Sequence, residues 1–200
     1  MRPAIDFYFD FSSPYSYIAS EWVEAVAARH ARAVPWHAIL LGATFQAAEL
    51  KSPVSYPLKR EYSLHDFARS ARFEGVPFVE PAVFPISTQN AARVFWWLRE
   101  QDEERAADWA RAGLSAYFAH GVRLDDPLEL QALAARSGID AQAAAAVWAD
   151  PVWKARLKQA NDEAIAAGVF GAPFFRIDGE PFWGNDRRAQ MERWLEKGPF

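Results

Sequence analysis

None of the 200 residues is a cysteine. That absence rules out a disulfide scaffold, a thiolate metal site and a dithiol oxidoreductase acting by itself, and it fits a reducing compartment such as the cytosol. No apolar run approaches the ~20 residues that a bilayer span needs. The opening Met1-Arg2-Pro3-Ala4-Ile5-Asp6 also lacks the apolar stretch of a signal peptide. Dense basic runs are missing: 22 Lys and Arg against 26 Asp and Glu leave a net charge of −4, which argues against nucleic acid as a partner. The four histidines, His30, His37, His65 and His120, have no metal-ligand spacing, and no Ser/His/Asp order stands out. The expectation is a cytoplasmic chain that binds neither membrane, metal nor nucleic acid.

Aromatic material is plentiful, with nine Trp and fifteen Phe available for a core and an apolar pocket. Residues 4–11 read as a buried strand. Pro14 suits the first turn of a helix, and Ile18, Trp22, Val23 and Val26 follow at helical spacing until Arg29-His30. Val34 to Leu41 is a second strand candidate, so the opening is β-α-β with parallel strands. From 43 to 165 the pattern is helical. A helix runs from Leu58 to Phe73, another follows a cap at Ser87 or Thr88, a third starts at Asp126-Pro127 and ends at Gly138, and Asp140 caps the next. The stretch 74–86, with three prolines, is a loop. Trp96, Trp97, Trp109, Trp148 and Trp153 read as helix-packing residues. Phe174–Ile177, the turn Asp178-Gly179 and Pro181–Trp183 form a hairpin, and Asn185-Asp186 then caps a helix carrying Met191, Trp194 and Leu195. This order predicts an α/β thioredoxin-like fold (β-α-β … β-β-α) with a large all-helical insertion. The thioredoxin-like part covers 1–42 and 166–200, and the helical part 43–165.

Ser13-Pro14-Tyr15-Ser16 falls at the first strand-to-helix turn, where thioredoxin-like proteins carry Cys-Pro-x-Cys. A helix start offers unpaired N–H groups and the positive end of the dipole, so a thiolate there is stabilised. With no thiol of its own, the chain must receive one on a ligand, and glutathione is the obvious candidate. Ser13 can donate a hydrogen bond to that sulfur. Ser before Pro is also a plain N-cap, which is the commoner role. Ser16 reads as structural. In Gly168-Val169-Phe170-Gly171-Ala172-Pro173-Phe174-Phe175, a proline entering a strand marks an edge strand or a cis peptide at Ala172-Pro173. A cis bond would turn the Ala172 N–H and C=O outward to pair with an extended peptide, and an ordinary turn would not. At the start of the last helix Asn185 and Asp186 can bind a ligand amine and carboxylate, or simply cap. Lys59 is a lone cation whose interest depends on folding back over Ser13.

In this order and spacing the motifs resemble the 2-hydroxychromene-2-carboxylate isomerases, relatives of the kappa-class glutathione transferases. The resemblance is carried by Asp6-Phe7-Tyr8-Phe9-Asp10-Phe11-Ser12-Ser13-Pro14-Tyr15-Ser16-Tyr17, by Gly168–Pro173, and by Phe182-Trp183-Gly184-Asn185-Asp186-Arg187. Tyr56-Pro57-Leu58-Lys59 and Arg72–Phe78 also look like family segments. The resemblance implies a homodimer that binds glutathione between the thioredoxin-like and helical parts. Ser13 matches the catalytic serine on the sulfur. Ala172 and Pro173 match the pair whose backbone holds the cysteinyl unit, and Asn185 and Asp186 match the γ-glutamyl site. Lys59 looks like the lysine on a glutathione carboxylate. Leu50 stands near a family asparagine and cannot make its polar contact, which leaves Lys51, Ser52 or Ser55 to compensate. The implied reaction interconverts 2-hydroxychromene-2-carboxylate and trans-o-hydroxybenzylidenepyruvate, a step of naphthalene catabolism, with Tyr15 and Trp183 walling the pocket of a small aromatic substrate. Two alternatives are a kappa-like transferase conjugating electrophiles and a non-catalytic, chaperone-like peptide binder.

Overall fold

The computed structural model describes residues 3–200. Its elements are β1 (Ile5–Phe9), α1 (Pro14–Ser20), α2 (Val23–Arg29), β2 (Trp36–Ala38), α3 (Leu41–Ala47), a 3₁₀ turn (Pro53–Ser55) and α4 (Pro57–Glu74). There follow α5 (Gln89–Arg99), α6 (Glu103–His120), α7 (Pro127–Arg136), α8 (Ala141–Ala149), α9 (Pro151–Ala166), β3 (Phe174–Ile177), β4 (Glu180–Trp183), a 3₁₀ turn (Asn185–Arg187) and α10 (Arg188–Lys197). The fold is the expected thioredoxin-like α/β arrangement, with the helical run inserted between β2 and β3.

The sheet order is β2-β1-β3-β4. β1 runs parallel to β2, with Phe7 opposite Trp36, and antiparallel to β3, with Phe7 opposite Phe175. β3 returns as β4, with Phe175 opposite Phe182. Strand periodicity sets the two faces. Ile5, Phe7 and Phe9 are fully buried while Asp6 and Tyr8 between them are half-buried. On the buried face Phe7 stacks on Phe175 at 5.2 Å and meets Trp36 edge-on at 4.8 Å. The same core continues through Phe95 of α5 and Trp109 and Phe118 of α6, so strands and inserted helices bury their apolar faces together. Asp102, Asp126, Asp140 and Asp150 each accept backbone N–H bonds at the starts of α6, α7, α8 and α9; caps of this kind contribute about 1 kcal/mol each.

Three expectations need correction. The first helix is two, because the backbone leaves helical geometry at Trp22 (φ −122°), whose ring turns inward and is buried. The strand expected over Val34 to Leu41 shrinks to Trp36–Ala38: Pro35 has no N–H to give the ladder, and Leu41 already opens α3. Neither Asn185 nor Asp186 caps α10. Both lie in the preceding 3₁₀ turn, and the N-cap position falls on Arg187 without a side-chain bond.

Candidate active site

The turn that presents Ser13 is built on Asp10. Its carboxylate accepts from the Ser12 N–H at 2.7 Å, the Leu41 N–H at 2.6 Å and the Thr88 hydroxyl at 2.9 Å. The end of β1, the start of α3 and the residue before α5 are thereby joined at one point. Burial pushes the Asp10 carboxyl above the usual carboxylate range, and its three donors oppose that. Sequence reading passed over this anchor, although an acid closing an apolar run before Ser was a signal for such a turn.

Ser13 is buried and caps α1. Its Oγ accepts the Ser16 N–H at 3.1 Å, and its carbonyl accepts the Tyr17 N–H at 3.1 Å. Pro14 has no N–H, so the Tyr15 N–H is left without a partner among the described residues at the positive end of the helix. The Ser13 hydroxyl in turn donates to the Ala172 carbonyl at 3.0 Å, across 159 positions of sequence. The Ala172-Pro173 peptide is cis, and so is Phe84-Pro85, which the sequence reading did not single out. The Ala172 carbonyl, expected to turn outward, is taken up by Ser13. The Ala172 N–H has no partner among the described residues.

Trp183 stands beside this point. It is half exposed, packs edge-on against Phe170 at 4.9 Å, and lies so close to Gly171 that a Cβ there would come within 2.6 Å of its indole nitrogen. On the other side, the Tyr15 ring meets Phe67 edge-on at 5.1 Å and its hydroxyl donates to Asp66 of α4, which also accepts from Arg69. Burial first, then Asp66, holds the Tyr15 phenol above its ordinary pKa, so it stays protonated. Asp66 and Arg69 were not anticipated; nothing in a helical run distinguishes the acid that meets a tyrosine from an exposed one.

Asn185 is buried, and its Oδ1 accepts from the Trp22 indole N–H at 2.8 Å, which ties the 3₁₀ turn to the break between α1 and α2. Asp186 is exposed and pairs with Arg187 at 3.0 Å. Together with Arg69, Ser70 and Phe73 of α4 and Arg188 of α10, these two residues line a cavity of about 550 Å³. Lys59, in the first turn of α4, places its ammonium 5.1 Å over its neighbour Tyr56 and makes no hydrogen bond to Ser13. Leu50 is largely exposed, and the Ser55 hydroxyl is taken up by the Ser52 carbonyl at 2.7 Å. Ser13 and Ala172 thus meet directly, with Trp183 against Gly171 beside them. Asn185 and Asp186 line a cavity against α4 and α10 that includes neither Ser13 nor Ala172, and Lys59 stands in the first turn of α4 without a bond to Ser13. A second cavity of about 260 Å³, lined by His37, Trp96, Arg99 and Arg156, contains none of these residues. Among the described residues no cluster of metal-ligating side chains occurs, and no helix is long and apolar enough to cross a membrane.

The family model for the DSBA-like thioredoxin domain matches residues 4–196. A 2-hydroxychromene-2-carboxylate isomerase of Sphingobium xenophagum is 32% identical over 197 residues, covering 98% of this chain and 99% of that protein. Glutathione S-transferase kappa 1 of Caenorhabditis elegans is 26% identical over 200 residues, covering 92% of this chain and 87% of that protein. Among solved structures, a 2-hydroxychromene-2-carboxylate isomerase superposes with a TM-score of 0.86 at 27% identity, covering 96% of this chain and 94% of the other. With the family model spanning nearly all of it and a relative of this identity matched end to end, the chain belongs to the DSBA-like thioredoxin-domain family, alongside the 2-hydroxychromene-2-carboxylate isomerases.

Proposed function

We propose that this chain is a glutathione-dependent isomerase interconverting 2-hydroxychromene-2-carboxylate and trans-o-hydroxybenzylidenepyruvate. The observation that carries the reading is the 3.0 Å bond from the Ser13 hydroxyl to the Ala172 carbonyl in a chain without cysteine. It brings a helix N-terminus suited to a thiolate against a cis-proline loop suited to a peptide, and leaves the thiol to be supplied. The isomerases among its relatives support the reaction type, and the kappa-class relative supports glutathione as the thiol.

The residues present fit the tripeptide. The free Tyr15 and Ala172 N–H groups are donors for a sulfur and a peptide carbonyl. Asp186 offers an exposed carboxylate to the γ-glutamyl ammonium. Arg69 and Arg188, ion-paired with Asp66 and Glu74, line the same cavity beside Glu74 and Glu192 and are its donors for the α-carboxylate. Lys59 carries an exposed ammonium for the other carboxylate. When bound, glutathione supplies a nucleophilic sulfur for reversible conjugate addition to the enone, which makes the double bond a rotatable single bond with no net redox change. The Ser13 hydroxyl turns from Ala172 to the sulfur while its oxygen keeps the Ser16 N–H. The start of α1 adds its dipole. Tyr15, held by Asp66 and Phe67, and Trp183, held by Gly171 and Phe170, wall the aryl group from water. The homodimer implied by the resemblance belongs to the same proposal; sedimentation of the purified chain tests it.

Calorimetric titration with glutathione, followed by isomerisation and chlorodinitrobenzene assays, tests the reading. Binding with turnover of the hydroxychromene carboxylate is the expected result. Fast conjugation without isomerisation replaces it with the kappa-like transferase reading, and no binding at millimolar glutathione leaves the peptide-binding alternative.

A further inference from the structure

The Ser16 side chain is fully buried, and its Oγ has no hydrogen-bond partner among the described residues. A serine inside a helix ordinarily returns its hydroxyl to a carbonyl one turn back. Ser20, on the same helix, does this with the Tyr17 carbonyl at 2.6 Å. Ser16 does not, although its own N–H donates to Ser13 Oγ at 3.1 Å and so fixes the two residues against each other. Helical side chains lean toward the N-terminus, which directs the Ser16 hydroxyl to the turn that holds Ser13. Alanine at this place would avoid the cost of burying an unbonded hydroxyl.

We infer that Ser16 is a positioning residue acting through Ser13, a statement that rests on the reading of Ser13 as the group that holds a glutathione thiolate. A hydroxyl oxygen has two acceptor lone pairs. The Ser16 N–H occupies one on Ser13 Oγ. The second is free at rest and takes no bond from the Ser16 O–H. When the Ser13 O–H swings from the Ala172 carbonyl to the sulfur and negative charge arrives beside it, a rotation of the Ser16 side chain brings its O–H onto that lone pair. Donation into Ser13 Oγ polarises its O–H and strengthens the bond that it gives to sulfur. Ser16 is fully buried, and its N–H already ties it to Ser13 Oγ. Its effect travels through one oxygen.

The test uses Ser16→Ala, Ser13→Ala, the double variant and Ser20→Ala. For each, the thermal midpoint, glutathione affinity and thiol pKa of bound glutathione are measured, the last from ultraviolet thiolate absorbance against pH. Ser16→Ala is expected to melt no lower than wild type yet to raise the bound thiol pKa by about half a unit, which is about a threefold loss of thiolate at pH values below that pKa. Ser20→Ala leaves that pKa in place. Because Ser16 acts through Ser13, the double variant shows the pKa of Ser13→Ala alone and no more. An unchanged thiol pKa in Ser16→Ala, or additive shifts in the double variant, overturns the inference while the glutathione reading stands. An ordinary thiol pKa in the wild-type complex removes both.

Discussion

Ser13 carries the clearest residue-scale consequence. Hydrogen bonds to a charged group contribute about 1.5–3 kcal/mol. Ser13→Ala should therefore raise the pKa of the bound thiol by about 1–2 units and reduce isomerase turnover about ten- to a hundredfold at neutral pH. Its thermal midpoint falls by the loss of the N-cap and of the bond to the Ala172 carbonyl. Turnover equal to wild type would remove Ser13 from the chemistry. Gly171 is the second such position. A Cβ there would stand 2.6 Å from the Trp183 indole nitrogen, at the movable end of a half-exposed side chain. Gly171→Ala should displace that ring at a stability cost of about 1 kcal/mol. Loss of the pocket wall then raises KM for the aromatic substrate and leaves glutathione affinity near wild type. Steady-state kinetics with each ligand varied in turn separates the two, and equal changes in both would contradict this placing of Trp183. Both residues lie in motifs legible in the sequence. Their contacts do not, since the Ser13–Ala172 bond joins positions 159 apart.

Between elements, α6 is the support under the turn that presents Ser13. Gly113 lies so close to Phe11 that an added Cβ would come within 2.6 Å of its ring. Phe11 is fully buried among Phe9 and its neighbours and has nowhere to retreat. Gly113→Ala should destabilise the fold by about 1–3 kcal/mol. It should also lower turnover by shifting the segment that ends in Ser13. Chemical denaturation together with initial rates checks this, and an unaffected midpoint would show that the turn is less tightly packed on α6 than the geometry states. Pro14 at a helix start and the Asp-Pro pair opening α7 were readable because capping chemistry is local. The break at Trp22 was not. It follows from the indole reaching Asn185, at the far end of the chain.

Across the whole molecule, four tyrosines share one direction of shift. Burial first, with nearby acids adding to it, raises the phenols of Tyr8, Tyr15, Tyr17 and Tyr117, and Tyr17 is raised to about 12. Tyr17 donates to the Pro77 carbonyl at 2.8 Å and Tyr117 to the Val83 carbonyl at 2.7 Å, so both fasten the loop between α4 and α5. An unfolded chain loses such protons near pH 10, while the native protein still holds them. The stability they contribute is thus complete below about pH 10 and falls as pH rises toward 12. Thermal midpoints measured from pH 8.5 to 11.5 should decline above about 10, with less decline in Tyr17→Phe, which has no proton to lose. A flat midpoint across that range would show that these phenols titrate alike in both states.

The β-α-β … β-β-α order, the caps at Asp126 and Asp140 and the serine-for-cysteine replacement were determined by the sequence alone, because periodicity, capping and residue chemistry act over a few positions. By contrast, α3, α6 and the Asp102 and Asp150 caps emerged only in the structure. The sequence also named the candidate site residues, since the motifs holding them are contiguous. Tertiary structure decided how those residues are used. It turned the Ala172 carbonyl toward Ser13, took Asn185 from a cap to a bond with Trp22, buried Asp10 beneath the turn, and set Asp66 of α4 on Tyr15. Each of these pairings closes a long loop of chain. Only the shared hydrophobic core, which buries the sheet and the inserted helices together, offsets the entropy of closing it.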